Sequence, residues 1–502
     1  MLALGQKPHP EVAPGGRYLA GWPPVCLGLT VAARPSILPT TVVSCRACQS
    51  GAAVMVGSGF VNQRRWFVVS AVSAAIGSGV AVSDAPASGV VGGAPASMIR
   101  VSVGPNGVQA RGDSVGRSIS ADGRYVVFAS DARNLVHSTE PHLEEVFVRD
   151  RVAHTTRLVS VSTSGRKGND NSSDPSISAD GRYVAFDSYA TNLVRHDPRA
   201  QDVFVRDLVA HTTRLVSVAL RGRPANGDSM EPSISAHGRF VAFTSSASNL
   251  VPGLTFNRYR VFVRDRVSHT TRRVSVPTGG GSINNDASEP SISADGRFVT
   301  FDSSASNVVA GANGGVFVRD RARRTTSLIS VGTRGKPAND SSFEPAISSD
   351  GRYVAFVSRA SNLVRGDTND GYDVFVRDRV RHTTRRVSVS TAGHQSRQSR
   401  FDGSMTPSIS AHGRFVTFAS TASNLAGGDT NRGSDVFVRD TVAQTTRLVS
   451  VGLGGGSGSG ESRLPGISAD GSSVAFTSVA SDLVPGDTNH ERDVFVRDRP
   501  TD

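Results

Sequence analysis

Three loops in the C-terminal third of the chain carry oxygen-bearing side chains at a spacing that suits a hard cation. The motif is DxNxxxD, which occurs as Asp367, Asn369 and Asp373, as Asp429, Asn431 and Asp435, and as Asp487, Asn489 and Asp493. Calcium collects about six to eight oxygen ligands, so the motif predicts Ca²⁺ as a bound ion. The alternative is that these residues form Asx turns that shape the loops, because no glutamate completes an EF-hand pattern.

A second set of acidic residues recurs at one position ahead of a repeated run of apolar and serine residues. Its members, two residues before the run predicted to be an innermost strand, are Asp174, Glu231, Glu289 and Glu344. Side chains repeated around a ring would form an acidic arc that holds a cation or a basic partner. The alternative is that each carboxylate accepts hydrogen bonds from nearby backbone N–H groups.

Both sets are positioned by a repeat that organises the chain. The stretch SISADGRYVAFDS, from Ser176 to Ser188, contains a short run, a turn and an apolar β-branched run, which is the pattern of a β-hairpin. Its turn glycine returns seven times, at Gly123, Gly181, Gly238, Gly296, Gly351, Gly413 and Gly471. The chain therefore contains seven similar units.

Each unit continues with two more runs, such as DVFVRD and TTRLVSV in the second unit. Four short strands per unit and no helical periodicity predict an all-β, seven-bladed β-propeller with four-stranded antiparallel blades. Ile99 to Val103 reads like a fourth run without the other three, and the last unit lacks a fourth run. We therefore expect the N-terminal strand 99–103 to complete the last blade and close the ring, which removes two exposed sheet edges.

The predicted topology separates short turns from long loops. The turns of the ADGR type and the HTT type join neighbouring strands on one face, so the longer GDTN-type loops gather on the other. Functional residues concentrate on loops that a rigid scaffold holds in place. We therefore expect any binding site on the long-loop face, where both acidic sets lie.

The pattern SxDGRxVAFxS, followed by VFVRD and TTRxVS runs, resembles the WD-type repeats of TolB-like β-propellers across residues 99–502. The resemblance implies an extracytoplasmic binding module of a secreted bacterial type. Related propellers also precede the catalytic domains of prolyl-oligopeptidase-like enzymes. For TolB itself, the resemblance implies six blades and an additional N-terminal domain. This chain departs from that pattern, because its sequence contains seven units.

Composition narrows the classes of function. The formal net charge is +12, and almost all of the basic residues are arginine. Arginine and aspartate alternate, however, in segments such as VRDR. A nucleic-acid binder usually concentrates its basic residues in a stripe with aromatic platforms, so we expect no nucleic-acid partner. Cys26, Cys45 and Cys48 all precede the repeats, which leaves the repeats without disulfides or thiol chemistry.

The N-terminal region reads as an export region. Residues 1–54 have no usable period and are expected to be unstructured or a mis-annotated extension, and residues 55–83 have the basic start, apolar core and small-residue end of a signal peptide. Arg64 and Arg65 precede the apolar core, as in a twin-arginine signal. Residues 84–98 are expected to be a linker, and residues 99–502 a secreted or cell-envelope-associated propeller with no transmembrane segment after cleavage.

These observations favour a monomeric binding or scaffolding module that recognises a protein or a cell-envelope glycan through its long-loop face. The polar residues are dispersed over the repeats, and no catalytic constellation stands out in one unit. The alternative is a secreted enzyme, such as a polysaccharide lyase or hydrolase, with its site at the mouth of the channel. Such an enzyme would need catalytic groups that converge in one sector.

Overall fold

A computed structural model of the chain describes residues 97–136, 143–195, 200–254, 258–332, 334–397 and 403–500. The predicted extension (1–54), the predicted signal peptide (55–83) and most of the predicted linker (84–98) lie outside the described residues. The last two linker residues begin the first strand, which starts at Ser97.

The described residues contain 28 β-strands in seven four-stranded antiparallel sheets. Blade 1 contains β2 (Ser114–Ile119), β3 (Tyr125–Ser130), β4 (Glu145–Asp150) and β5 (Thr155–Leu158). Blade 2 contains β6 (Ser172–Ile177), β7 (Tyr183–Ser188), β8 (Asp202–Asp207) and β9 (Thr212–Leu215). Blade 3 contains β10 (Ser229–Ile234), β11 (Phe240–Ser245), β12 (Arg260–Asp265) and β13 (Thr270–Arg273). Blade 4 contains β14 (Ala287–Ile292), β15 (Phe298–Ser303), β16 (Gly315–Asp320) and β17 (Thr325–Leu328).

The remaining blades follow the same order. Blade 5 contains β18 (Ser342–Ile347), β19 (Tyr353–Ser358), β20 (Asp373–Asp378) and β21 (Thr383–Arg386). Blade 6 contains β22 (Ser404–Ile409), β23 (Phe415–Ser420), β24 (Asp435–Asp440) and β25 (Thr445–Leu448). Blade 7 contains β26 (Ser462–Ile467), β27 (Ser473–Ser478), β28 (Asp493–Asp498) and, from the start of the chain, β1 (Ser97–Arg100). Two short 3-10 helices occupy Pro105–Gly107 and Leu220–Gly222.

The ring closes as the sequence predicts. β1 pairs antiparallel with β28, with Ser97 opposite Asp498 and Arg100 opposite Phe495. The strand begins two residues before the predicted 99–103 segment and ends at Arg100, because the chain bends where Val103 N donates to Val101 O at 2.9 Å. The seven blades and the closing strand are therefore confirmed, with shifted strand bounds.

The hydrophobic core lies between adjacent blades. Phe186 on β7 and Phe204 on β8 are opposite each other, with ring centroids 5.8 Å apart, and a phenylalanine pair repeats this contact in each of the seven blades. The blade 2 pair packs with Val127 and Val148 of blade 1 in one buried cluster. Each sheet thus buries its faces against its neighbours, which explains the apolar runs VAF and VFV.

Among the residues that the structure describes, no helix is long and apolar enough to cross a membrane.

A closed ring of backbone hydrogen bonds joins the first hairpin turns of all seven blades. In each blade, the second residue after the first strand donates its backbone N–H to the carbonyl oxygen of the equivalent residue in the next blade, at 2.9 to 3.2 Å. The donors and acceptors, in order around the ring, are Ala121, Ala179, Ala236, Ala294, Ser349, Ala411 and Ala469, which donates back to Ala121. Every blade is therefore tied to both neighbours at the short-turn face.

The turn glycine is required for two separate reasons. Gly238 has φ of +66°, a left-handed conformation that side chains disfavour, and a Cβ at this position would lie 2.4 Å from Tyr183 Cδ2 of the previous blade. The Tyr183 ring lies between two guanidinium groups, with Arg182 at 4.9 Å and Arg266 at 4.7 Å from the ring centroid. The turn therefore packs as part of the interface between blades.

We expect Gly238→Ala to lower the free energy of unfolding by about 3 kcal/mol, because it adds steric overlap to the cost of a left-handed residue. Gly253→Ala is the matched control, since Gly253 has φ of +74° with no atom within 4 Å of its added Cβ. That change should cost only about 1 kcal/mol. Chemical denaturation of both variants measures the difference, and equal losses would show that the inter-blade contact contributes nothing.

Candidate functional site

The acidic arc, defined as Asp174, Glu231, Glu289 and Glu344, lines the ring of first strands. These residues were predicted to precede the innermost strand by two positions, but they are the third residues of β6, β10, β14 and β18. Each has a positive φ between 45° and 60°, where the pairing with the second strand shifts register. A β-bulge extends each strand beyond the run that the sequence predicts and turns the acidic side chain to the channel side.

Three carboxylates of the acidic arc bridge neighbouring blades. Glu231 Oε2 accepts a hydrogen bond from Glu289 N at 2.8 Å, and Glu289 Oε2 accepts one from Glu344 N at 2.6 Å. Glu344 Oε2 in turn accepts one from Thr406 N at 2.6 Å. This is the backbone-binding role that the sequence left open as an alternative. A ligand-binding role for the acidic arc stays a prediction.

Two further carboxylates, missed in the sequence, join the acidic arc from the second strands. Asp187 on β7 accepts a hydrogen bond from the Ser173 hydroxyl at 2.7 Å and one from Glu231 N at 3.3 Å. Asp302 on β15 accepts one from the Ser288 hydroxyl at 2.9 Å. The available signal was a single aspartate near the end of an otherwise apolar run, in YVAFDS and FVTFDS. We call the six residues the channel cluster: Asp174, Asp187, Glu231, Glu289, Asp302 and Glu344.

Burial and mutual repulsion hold the channel cluster at raised pKa values. Burial, followed by repulsion from Glu231 and Glu344 among other charges, raises the pKa of Asp302 to about 7. Burial also raises the pKa of Glu289 well above its ordinary range, with repulsion from Asp302 as the next cause. The pKa values of the other four members are raised too, again chiefly by burial. The channel cluster is thus partly protonated near neutral pH.

Asp174 differs from the rest of the acidic arc. Among the described residues, its carboxylate does not accept a backbone hydrogen bond of the kind that Glu231, Glu289 and Glu344 accept, and the residue is partly exposed. Burial raises the pKa values of Asp174 and Glu344, and the guanidinium of Arg117 on β2 partly offsets this rise by favouring their ionised forms. Arg117 Nη2 is buried without a hydrogen-bond partner among the residues described.

The DxNxxxD residues lie in the loops between the second and third strands of blades 5, 6 and 7, and the last aspartate of each motif begins the third strand. In blade 5 the Arg386 guanidinium occupies the centre of the motif, with Nη1 at 2.9 Å from Asp367 Oδ1 and 3.1 Å from Asp373 Oδ2. Asn369 Nδ2 donates to Asp373 Oδ2 at 3.0 Å. An arginine of the protein thus sits where the sequence predicts a metal ion.

Blade 7 repeats this arrangement, and blade 6 does not. Arg100 Nη1 lies 2.9 Å from Asp487 Oδ1 and 3.3 Å from Asp493 Oδ2, and Asn489 Nδ2 donates to Asp493 Oδ2. In blade 6, Asp429 and Asp435 have raised pKa values of about 6, first because of burial. The described residues contain no group of three or more histidine, cysteine or acidic side chains arranged to share a metal ion.

A GxSxG pattern at 112–116 also proves to be structural. Its Ser114 is fully buried at the start of β2, and its hydroxyl hydrogen-bonds to the Ser130 hydroxyl at 2.9 Å. Equivalent serine pairs join the first and second strands of other blades, as between Ser172 and Ser188 at 2.8 Å. Ser114 therefore belongs to the repeat and is not an exposed nucleophile.

The raised pKa values predict that the protein loses stability as the pH rises from 5 to 8. A carboxyl group with a raised pKa binds its proton more tightly in the folded state, so its stabilisation is lost as the pH passes through the folded-state pKa, about 7 for Asp302. Asp302→Asn removes this titration and should stabilise the protein at pH 8, relative to pH 5, by on the order of 2 kcal/mol.

Asp207→Asn is the control of opposite sign. The Arg182 guanidinium and backbone N–H groups outweigh burial and hold the pKa of Asp207 at about 2. Its carboxylate is ionised in both states at pH 5 and pH 8, so this variant should lose stability equally at the two values. Chemical denaturation at both pH values checks the pair. A pH-independent effect of Asp302→Asn would contradict the assignment.

Comparisons with known proteins find similarity to solved structures at low sequence identity. No family model and no curated protein matches the sequence. An oligogalacturonate lyase from Vibrio parahaemolyticus is 12% identical over 81% of this chain and 97% of its own, with a TM-score of 0.48. TolB from Acinetobacter baumannii is 15% identical over 67% of this chain and 62% of its own, with a TM-score of 0.36.

The β-propeller domain of the Trilobed protease from Pyrococcus furiosus is 11% identical over 78% of this chain and 97% of its own, with a TM-score of 0.46. These proteins include a lyase, a protease domain and TolB, so they indicate no single activity. The seven four-stranded sheets by themselves make this chain a β-propeller.

Proposed function

We propose that this chain is a binding module that takes a cationic group of a protein partner at the long-loop mouth of its channel. The channel cluster carries the proposal, because it brings six carboxylates close enough to repel one another in a protein whose formal net charge is +12. Arg117 is the arginine whose charge most favours the ionised form of Asp174 among the described residues. The acidity is therefore local, and it attracts basic groups to this mouth.

The chemistry of the channel cluster favours a lysine- or arginine-rich segment over an acidic glycan. Carboxylates that burial keeps partly protonated release protons when a cation approaches, since the cation stabilises their ionised forms. An acidic polysaccharide would add like charge to the same mouth. A neutral cell-envelope glycan stays an alternative partner, to be separated by the binding measurement below.

We expect a peptide of eight lysines to bind the full chain, with an affinity that rises from pH 6 to pH 8 as the channel cluster ionises. Asp174→Asn combined with Glu289→Gln should weaken binding about tenfold, or about 1.4 kcal/mol. The amide of the second change can still accept the hydrogen bond from Glu344 N. Isothermal titration calorimetry in two buffers of different ionisation enthalpy measures both affinity and proton release.

Asp180→Asn provides the matched control for this titration. Asp180 lies in the β6–β7 turn on the short-turn face, where its Oδ1 accepts the Ser178 hydroxyl and Arg182 N, and an asparagine oxygen can accept the same bonds. This variant should bind the peptide as the wild type does. Equal weakening by both variants, or tighter binding at pH 6, would contradict a role for the channel cluster.

A catalytic function is the second candidate, because paired carboxylates with raised pKa values are also what general acid–base catalysis needs. Asp302 and Glu289 form such a pair. The pKa of Asp302 is about 7, and burial together with repulsion from Asp302 raises the pKa of Glu289. Against this candidate, Glu289 and Glu344 are engaged with the backbone of the next blade. Turnover of neutral oligosaccharides that is lost in Asp302→Asn would favour the enzyme over the binding module.

We also propose that the propeller acts outside the cytoplasm as a monomer. The support is the sequence of residues 55–83, with a basic start, an apolar core and small residues ahead of Asp84. The exported protein should begin at Asp84, and Arg64→Lys with Arg65→Lys should block export if the twin-arginine route is used. N-terminal sequencing of the extracytoplasmic fraction checks this, and a product that retains residues 55–83 would contradict it.

A further inference from the structure

Blade 6 contains the same pair of aspartates as blades 5 and 7, but it lacks the arginine that lies between them. The arginine is the last residue of the fourth strand. It pairs with the phenylalanine that follows the second aspartate of the motif by two positions on the third strand. It is Arg386 opposite Phe375 in blade 5 and Arg100 opposite Phe495 in blade 7. In blade 6 the residue opposite Phe437 is Leu448. The apolar side chain cannot neutralise the two aspartates.

The carboxylate atoms left without an arginine are the same atoms that bind it elsewhere. Arginine Nη1 contacts Oδ1 of the first aspartate and Oδ2 of the second in both blade 5 and blade 7. In blade 6 these atoms are Asp429 Oδ1 and Asp435 Oδ2, which are buried and have no hydrogen-bond partner among the described residues. Asp435 as a whole is 0% exposed.

Leaving two buried carboxylates without a counter-charge is costly, so the arrangement calls for a cation. The third contact of the guanidinium in blade 5 is a backbone oxygen, with Arg386 Nη2 at 3.4 Å from Gly366 O. The residue equivalent to Gly366 in blade 6 is Gly428, whose carbonyl oxygen accepts a hydrogen bond from Ser457 N at 2.7 Å. The protein oxygen atoms left for a cation in the place of the guanidinium are therefore those of Asp429 and Asp435.

We propose that blade 6 binds one Ca²⁺ ion between Asp429 and Asp435, in the place that arginine fills in blades 5 and 7. Two carboxylates match the charge of a divalent ion, and hard oxygen donors are the ligands that calcium prefers. The Asn431 side chain supports the loop, since its Nδ2 donates to Gly458 O at 2.8 Å and its Oδ1 accepts from Gly433 N at 2.8 Å. Water completes the coordination.

This site is independent of the proposed function. It lies in the loop between the second and third strands of one blade, whereas the channel cluster lies on first and second strands. It also narrows the calcium prediction made from the sequence to one of three motifs. The internal arginine, rather than the motif itself, distinguishes a blade that binds the ion from a blade that does not.

The test is titration of the EDTA-treated full chain with CaCl₂ by isothermal titration calorimetry, together with thermal melting. The wild type should bind one Ca²⁺ ion in blade 6 and melt several degrees higher in calcium, as expected for a ligand that binds only the folded state. Leu448→Arg supplies the missing guanidinium, so this variant should neither bind at blade 6 nor show the calcium-dependent shift. Its melting temperature without calcium should equal or exceed that of the wild type.

Arg386→Leu is the reciprocal variant, because it removes the guanidinium from between Asp367 and Asp373 in blade 5. This variant should bind one more Ca²⁺ ion per chain than the wild type. If Leu448→Arg does not fold, Asp429→Asn decides in its place and should abolish binding at blade 6. A wild type that binds no calcium would overturn the proposal and leave a shared proton as the neutralising partner of the two aspartates. Calcium binding that Leu448→Arg or Asp429→Asn leaves unchanged would overturn it as well.

Discussion

A ring of seven backbone hydrogen bonds is the constraint on which the rest of the structure depends. Each first turn donates to the next, and the seventh donates back to the first, so no blade can move outward without breaking two bonds. The bonds involve atoms that every residue has, which explains why alanine and serine serve equally well there. Closure by β1 on β28 completes the outer edge of the last sheet. The ring therefore holds rigidly whatever side chains face the channel.

That rigidity allows the channel to contain groups that would otherwise destabilise a protein. Six carboxylates at raised pKa values work against folding when they ionise, yet four of them also bridge blades by accepting hydrogen bonds from backbone N–H groups. The same residues thus contribute hydrogen bonds between blades and carry the groups that titrate. A structural role and a ligand-binding role are compatible here, because each carboxylate has a second oxygen.

The repeat provides its own comparison, since equivalent positions in different blades are held in the same environment. Ser473 of blade 7 stands where the other blades have tyrosine or phenylalanine, and at that junction Arg151 Nη2 pairs with Asp498 at 2.6 Å instead of stacking on a ring. Leu448 of blade 6 stands where blades 5 and 7 have arginine. Departures from the repeat are informative because the surrounding backbone is unchanged.

The sequence by itself determined the all-β class, the seven units, the hairpin turns and the closure of the ring. These follow from local periodicity and from a recurrent glycine, which the left-handed backbone of the turn requires. It also identified the acidic arc and the three DxNxxxD motifs as recurrent. Only the tertiary structure decided which charges meet. Asp302 reaches the acidic arc from another strand, Arg386 neutralises a motif nineteen residues away, and the bulges lengthen the first strands. Contacts across strands and blades depend on register and burial, which residue spacing along the chain does not contain.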